Sequence, residues 1–152
     1  MIRFTTSIRI ERPSEDVFDV ISDPLRFPRW NSAVESVQHT SGQPRAVGSR
    51  YSMRRALPGG PVGNDLEIVD RDDPNAFAIR TTSGPTPFVY RYRISPDGDG
   101  AVVELDGSVE LPRPAALVAP LAARAVKHGV DDNLATLKRI LERSRGAAGA
   151  QT

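Results

Sequence analysis

The chain has 152 residues, with 20 Lys and Arg against 19 Asp and Glu, no cysteine and 39% hydrophobic residues. That is enough for one domain, which buries roughly two-thirds of the surface its unfolded chain exposes. The composition excludes disulfides, thiolate nucleophiles and zinc–thiolate sites, its balanced charge argues against a dedicated nucleic-acid binder, and no apolar run approaches the ~18 residues of a membrane span.

The first residues alternate, with Ile2, Phe4, Ile8 and Ile10 on one face and Arg3, Thr5, Ser7 and Arg9 on the other. This predicts a half-buried antiparallel strand. Ser14, followed by Glu15 and Asp16, reads as the N-cap of a short helix. Asp23-Pro24 reads as the cap of a second one ending near Trp30-Asn31.

From Val34 to Leu111 the text is strands broken by turn signals: Ser41-Gly42-Gln43-Pro44, Leu57 to Pro61, Asp72 to Asn75, Ser83-Gly84-Pro85 and Pro96 to Gly100. Such frequent breaks predict a meander of hairpins, giving seven strands with the first. One face carries Tyr51, Met53, Leu66, Ile68, Phe77, Ile79, Phe88, Tyr90, Tyr92, Ile94, Val103, Leu105 and Val109. The Asp97-Gly98 turn sets Arg93 opposite Glu104, Arg91 opposite Asp106 and Tyr90 opposite Gly107. A slip of one residue would drive charges into the core.

After Pro114 the pattern is helical to about Arg143, with Val126, Val130, Leu134, Leu137 and Leu141 in one stripe; Pro120 kinks or restarts it. Ser144 to Thr152 is small and polar and reads as a disordered tail, which leaves residues 1–143 as the domain. The expected fold class is therefore α+β, a seven-stranded antiparallel curved sheet wrapped around a long C-terminal helix. One apolar stripe cannot fill the whole concavity, so a pocket lined by aliphatic and aromatic side chains is expected, with a solid core as the alternative.

The run from Ile8 to Phe18, Ser22-Asp23-Pro24, Phe27-Pro28-Arg29-Trp30-Asn31, Gly48-Ser49-Arg50-Tyr51 and Leu134 to Glu142 together resemble the START-like helix-grip superfamily (SRPBCC), in its polyketide cyclase/dehydrase branch. The resemblance covers residues 1–143 and implies a cavity for hydrophobic ligands. It does not select among carriers, cyclases, receptors and chaperone activators.

The candidate ligand-binding residues are Trp30, Tyr51, Met53, Leu66, Ile68, Phe77, Phe88, Tyr90, Tyr92, Val126 and Val130. The resemblance puts Trp30 beside the cavity opening; a packing anchor is its structural alternative. A buried phenol needs a partner, which a ligand oxygen, a backbone carbonyl or water can supply. Arg55 shares the inward parity of Tyr51 and Met53 and could meet an acidic ligand group or a carboxylate at the rim, but its stem is expected to lie on the edge with the head in water. Asn64 and Asp70 are read the same way at their strand ends. His39 and His128, the only histidines, lack the setting of a metal ligand or general base, and His128 should face solvent.

No catalytic residue, metal or cofactor is assigned. The leading reading is binding or transport of a small hydrophobic, lipid-like or polyketide-like molecule, motivated by the apolar inner face. Alternatives are a polyketide cyclase or aromatase and a protein-interaction module. Neither nucleic acid nor a membrane span is expected, the state is monomer or homodimer, and the absence of an export signal makes a cytoplasmic location the expectation. Eighteen of the 20 basic residues are Arg, read as codon bias of a GC-rich bacterial genome.

Overall fold

The computed structural model describes residues 1–57, 59–111 and 119–150, including side chains except at 119 and 145–150. Seven strands form one antiparallel sheet: β1 (Ile2–Ile10), β2 (Val34–Ser41), β3 (Arg50–Leu57), β4 (Gly60–Asp72), β5 (Ala76–Ser83), β6 (Phe88–Asp97) and β7 (Gly100–Val109). Their order is β1-β7-β6-β5-β4-β3-β2, so the first strand closes onto the last and the other edge is β2. Between β1 and β2 lie α1 (Ser14–Ile21), a 3₁₀ turn (Pro24–Arg26) and the single-turn α2 (Phe27–Trp30). The long C-terminal helix α3 (Ala119–Ala150) packs on β1 and α2. The helical pattern assigned to 115–118 lies outside the described residues, and Pro120 stands in the first described turn, where a missing N–H costs little.

The β6–β7 register is the one its charges require: Tyr90 opposite Gly107, Arg91 opposite Asp106 and Arg93 opposite Glu104. β1 adds Phe4 opposite Gly107, and the Phe4 ring lies where a side chain at 107 would stand. Glycine there lets an aromatic from each neighbouring strand meet, Phe4 edge-on to Tyr90 at 5.9 Å.

The helix lies along β1 in the same direction. Thr6 Oγ1 donates to Asp131, Lys138 Nζ to the Arg9 carbonyl and Arg12 Nη1 to the Leu141 carbonyl. On its other flank Asn133 accepts from the Ser32 N–H and donates to Asn31 Oδ1, which also accepts the Ala33 N–H. Leu134, Leu137 and Leu141 are buried and His128 is exposed, as their phase on the helix requires.

One local expectation is corrected. Ser14 opens α1 instead of capping it: Pro13 is the cap residue and the buried Ser14 Oγ has no partner among the described residues. Asp70 is exposed, as its strand-end reading expects, and a bulge between Ile68 and Asp70 shifts the strand's parity and turns Arg71 inward over the Phe18 ring at 5.2 Å. Helical backbone continues past Arg143 through Ala150. Asp23, by contrast, caps the 3₁₀ turn as expected, accepting from the Leu25 N–H.

Candidate functional site

The concave face divides into two ends of different character. At the first, the ends of β4 and β6 and the start of β7 meet α1, and the side chains pack solidly. Ile10, Val17, Phe18, Ile21, Ile68, Phe77, Ile94 and Ala101 are almost wholly buried. Tyr51 belongs here: its hydroxyl accepts the Arg45 N–H at 2.9 Å, and Arg45 in turn binds Asp19 and Ser22 of the α1 segment. The Arg45 guanidinium beside Asp19 holds that carboxyl below its ordinary range. Of the expected ligand contacts, the structure therefore places Tyr51, Leu66, Ile68 and Phe77 in filled core, with Met53 at its border.

At the second end stand the last residues of β3, the first of β4 and β6, the start of β1 and the N-terminal half of α3. Phe88 and Tyr90 stack at 4.7 Å, Phe4 meets Tyr90, and Val130 is buried from the helix side. Tyr90, Leu111 and Val126 at this end are only partly buried against the core, as are Ile8, Val20 and Val37 elsewhere, so the face is less tightly covered here. Tyr92 lies between the two ends, tilted against Phe77 at 6.2 Å.

The hydroxyls of Tyr90 and Tyr92 make no hydrogen bond to any other described residue. Neither oxygen is sealed off, in contrast to Trp30 Nε1, which is buried without a partner while its ring packs edge-on to Phe27. Burial disfavours their ionised forms: the Tyr90 hydroxyl is pushed up to about 12 despite nearby Arg55, and Tyr92 is raised further, with the neighbouring Tyr90 adding to the effect. Both remain protonated, hydrogen-bonding phenols throughout the neutral range.

Arg55 and Asn64 correct the rim reading. Asn64 is buried, and its Nδ2 donates to the Ser83 and Pro85 carbonyls at 3.2 and 2.8 Å. Arg55 is half-buried, donating through Nε to Asn64 Oδ1 at 2.9 Å and through Nη2 to the Pro85 and Thr86 carbonyls. Its Cζ lies 5.3 Å from the Phe88 ring centre. Gly84 makes the clamp possible, since with φ of +98° a Cβ there would stand 2.3 Å from the Gly63 carbonyl oxygen. A signal for this pair exists in the sequence: two long polar residues on inward parity in adjacent strands face Gly84-Pro85, whose backbone needs donors.

Two surface grooves, of about 770 and 520 Å3, lie elsewhere. The larger runs between residues 12–16 and the turns at 74–75 and 96–100; the smaller lies beside Arg3, Arg91 and Asp106 on the outer face. Neither is in the space between sheet and helix where the sequence reading puts the pocket, because aromatic rings take up much of that space. Among the described residues no three His, Asp or Glu side chains converge as a metal site, and no helix is long and apolar enough to cross a membrane.

The family model described as polyketide cyclase/dehydrase and lipid transport matches residues 1–142. No curated protein sequence matches significantly. Among solved structures, a protein of Thermus thermophilus is 20% identical with a TM-score of 0.79, covering 93% of this chain and 98% of its own. A START superfamily protein of Mycobacterium smegmatis is 17% identical with a TM-score of 0.71, covering 92% and 99%. The di-domain ARO/CYC StfQ of the steffimycin biosynthetic pathway is 14% identical with a TM-score of 0.75, covering 95% of this chain and 52% of its own. Identities this low establish a shared fold and nothing finer.

Proposed function

Because the chain belongs to the polyketide cyclase/dehydrase and lipid transport family, we propose that it binds a small hydrophobic molecule, lipid-like or polyketide-like, at the loosely covered end of its concave face. One observation carries the reading: the phenol hydroxyls of Tyr90 and Tyr92, buried among aromatic and aliphatic side chains, make no hydrogen bond to any other described residue. A protein with no ligand gains little by burying phenols where phenylalanine would do, since a buried polar group without a partner costs stability. A ligand oxygen supplies the partner, and apolar burial at ~25 cal/mol per Å2 supplies most of the binding energy. Phe4, Phe88, Val126 and Val130 form the apolar wall in this reading, and the packed Tyr51, Leu66, Ile68 and Phe77 form the floor behind it.

A cyclase or aromatase reading draws on the same phenols. A hydroxyl held protonated, as Tyr90 is, can donate to a ketide oxygen but cannot serve as a base near neutrality. Native mass spectrometry after incubation with a lipid and polyketide extract tests the shared premise. The native protein should retain a discrete added mass, and replacing both Tyr90 and Tyr92 by Phe should weaken retention about tenfold, the worth of one to two lost hydrogen bonds. Release of that molecule unaltered supports a carrier, and release of a cyclised or dehydrated product supports an enzyme. Failure to retain any molecule contradicts both.

A further inference from the structure

Five arginines are partly buried among the described residues: Arg12, Arg26, Arg45, Arg55 and Arg71. Four of them pair with carboxylates, Arg12 with Asp16, Arg26 with Asp19 and Asp23, Arg45 with Asp19, and Arg71 with Asp73. Arg55 alone has only neutral partners: the Asn64 amide oxygen and the Pro85 and Thr86 carbonyls. Every Asp and Glu of the chain lies among the described residues, so no undescribed side-chain carboxylate remains to complete it. The Arg54 guanidinium next to it in sequence points outward to Glu35, so the strand had an acid within reach of one arginine and left the inward one without.

A desolvated cation without a counter-charge is costly, and an anion supplied from outside recovers that cost. The Nη1 group of Arg55 makes no hydrogen bond to any described residue, which leaves one side of the guanidinium fork open. The Arg55 Cζ lies 5.3 Å from the centre of the Phe88 ring, and the Tyr90 ring lies 4.7 Å from the same ring, so that Phe88 adjoins both side chains. A guanidinium with an open donor and a phenol without a partner thus adjoin one aromatic ring, groups suited to a carboxylate attached to an apolar body.

We propose that the hydrophobic ligand is an acid, whose carboxylate docks on Arg55 with the Tyr90 hydroxyl as its second donor while its apolar body lies between sheet and helix. This deepens the hydrophobic-ligand reading and rests on it. Asn64 and the 83–86 loop fix the guanidinium in place, so the anchor is built before the ligand arrives and little side-chain entropy remains to be lost.

Fluorescence titration with two acid and methyl ester pairs, cis-parinaric acid and 1-pyrenebutyric acid, tests the proposal at neutral pH. The native protein should bind at least one acid about tenfold or more tightly than its own ester, as a charge-assisted hydrogen-bonded pair requires. Arg55→Gln should remove that preference by weakening the acid while leaving the ester within about twofold. Acid and ester binding alike to the native protein overturns the carboxylate anchor and leaves the hydrophobic-ligand reading standing; neither form binding overturns both. Because the native acid-to-ester ratio decides the matter alone, poor folding of Arg55→Gln leaves the test intact. Arg55→Lys, which keeps the charge but loses the fork, should retain part of the preference.

Discussion

Leu137→Ala should destabilise the protein by about 2–5 kcal/mol, the cost of emptying a fully buried leucine site. Leu137 has 0% exposure, in the stripe where α3 meets the curved sheet. Among the described residues the sheet has no other long helix to cover its concave face, so the cavity cannot be filled by a second layer. For a chain of this size the loss lowers the melting temperature by roughly 5–15 °C. Ile140→Ala, three residues along and 38% exposed, should cost under about 1 kcal/mol. Urea unfolding of the two variants checks this, and equal losses would mean that the helix does not grip the sheet by the face assigned to it.

Alkaline pH should weaken the fold before it affects most surface groups. The Tyr90 hydroxyl titrates near 10 in the unfolded chain and at about 12 in the folded one, so between those values the folded state holds a proton that the unfolded state has lost. Stability contributed by a group with a raised pKa is complete below the unfolded value and is lost as pH climbs through the folded one. The loss for Tyr90 approaches about 2–3 kcal/mol at 1.36 kcal/mol per unit, and Tyr92, raised further still, adds to it in the same direction. Arg55 works the other way, because burial lowers its proton affinity. Unfolding in urea at pH 9 and pH 11 should show a marked fall in midpoint, and Tyr90→Phe should reduce the slope. An unchanged midpoint would mean that the phenols are hydrated in the folded state.

Much of this architecture is legible in the residues because a strand with one buried face leaves little freedom. The alternation along β6 and β7, together with Arg91, Arg93, Glu104 and Asp106, admits a single register, and the structure has it. The stripe from Val130 to Leu141 likewise permits one facing for α3. Arg71 escapes such reasoning because a bulge at Val69 carries no glycine to announce it, and a shift of one residue exchanges inside for outside. Ser14 has the chemistry of a cap, yet the preceding Pro13 takes the cap position.

The candidate site is harder to read. Inward parity collects Tyr51, Leu66, Ile68, Phe77, Phe88, Tyr90 and Tyr92 as one set, but parity says only which face a residue is on. Whether a phenol is already satisfied depends on contacts distant in sequence, such as that between Tyr51 and the backbone of Arg45. Arg55 reads as a rim residue because a charged side chain usually reaches water; the carbonyls that hold it inside belong to a loop 30 residues away. The position of Asn133 between Asn31 and Ser32 has no local signal at all.

A ligand seated at the loosely covered end of the concave face is the central claim. The most direct measurement is a two-dimensional NMR titration of aromatic and methyl resonances with whichever molecule the protein retains. The shifts should concentrate on Phe4, Phe88, Tyr90, Tyr92, Val126 and Val130 and leave Ile68 and Ile94 nearly still. Shifts confined to the groove beside residues 12–16, or to the outer face near Arg3 and Arg91, would place the ligand elsewhere and contradict the claim.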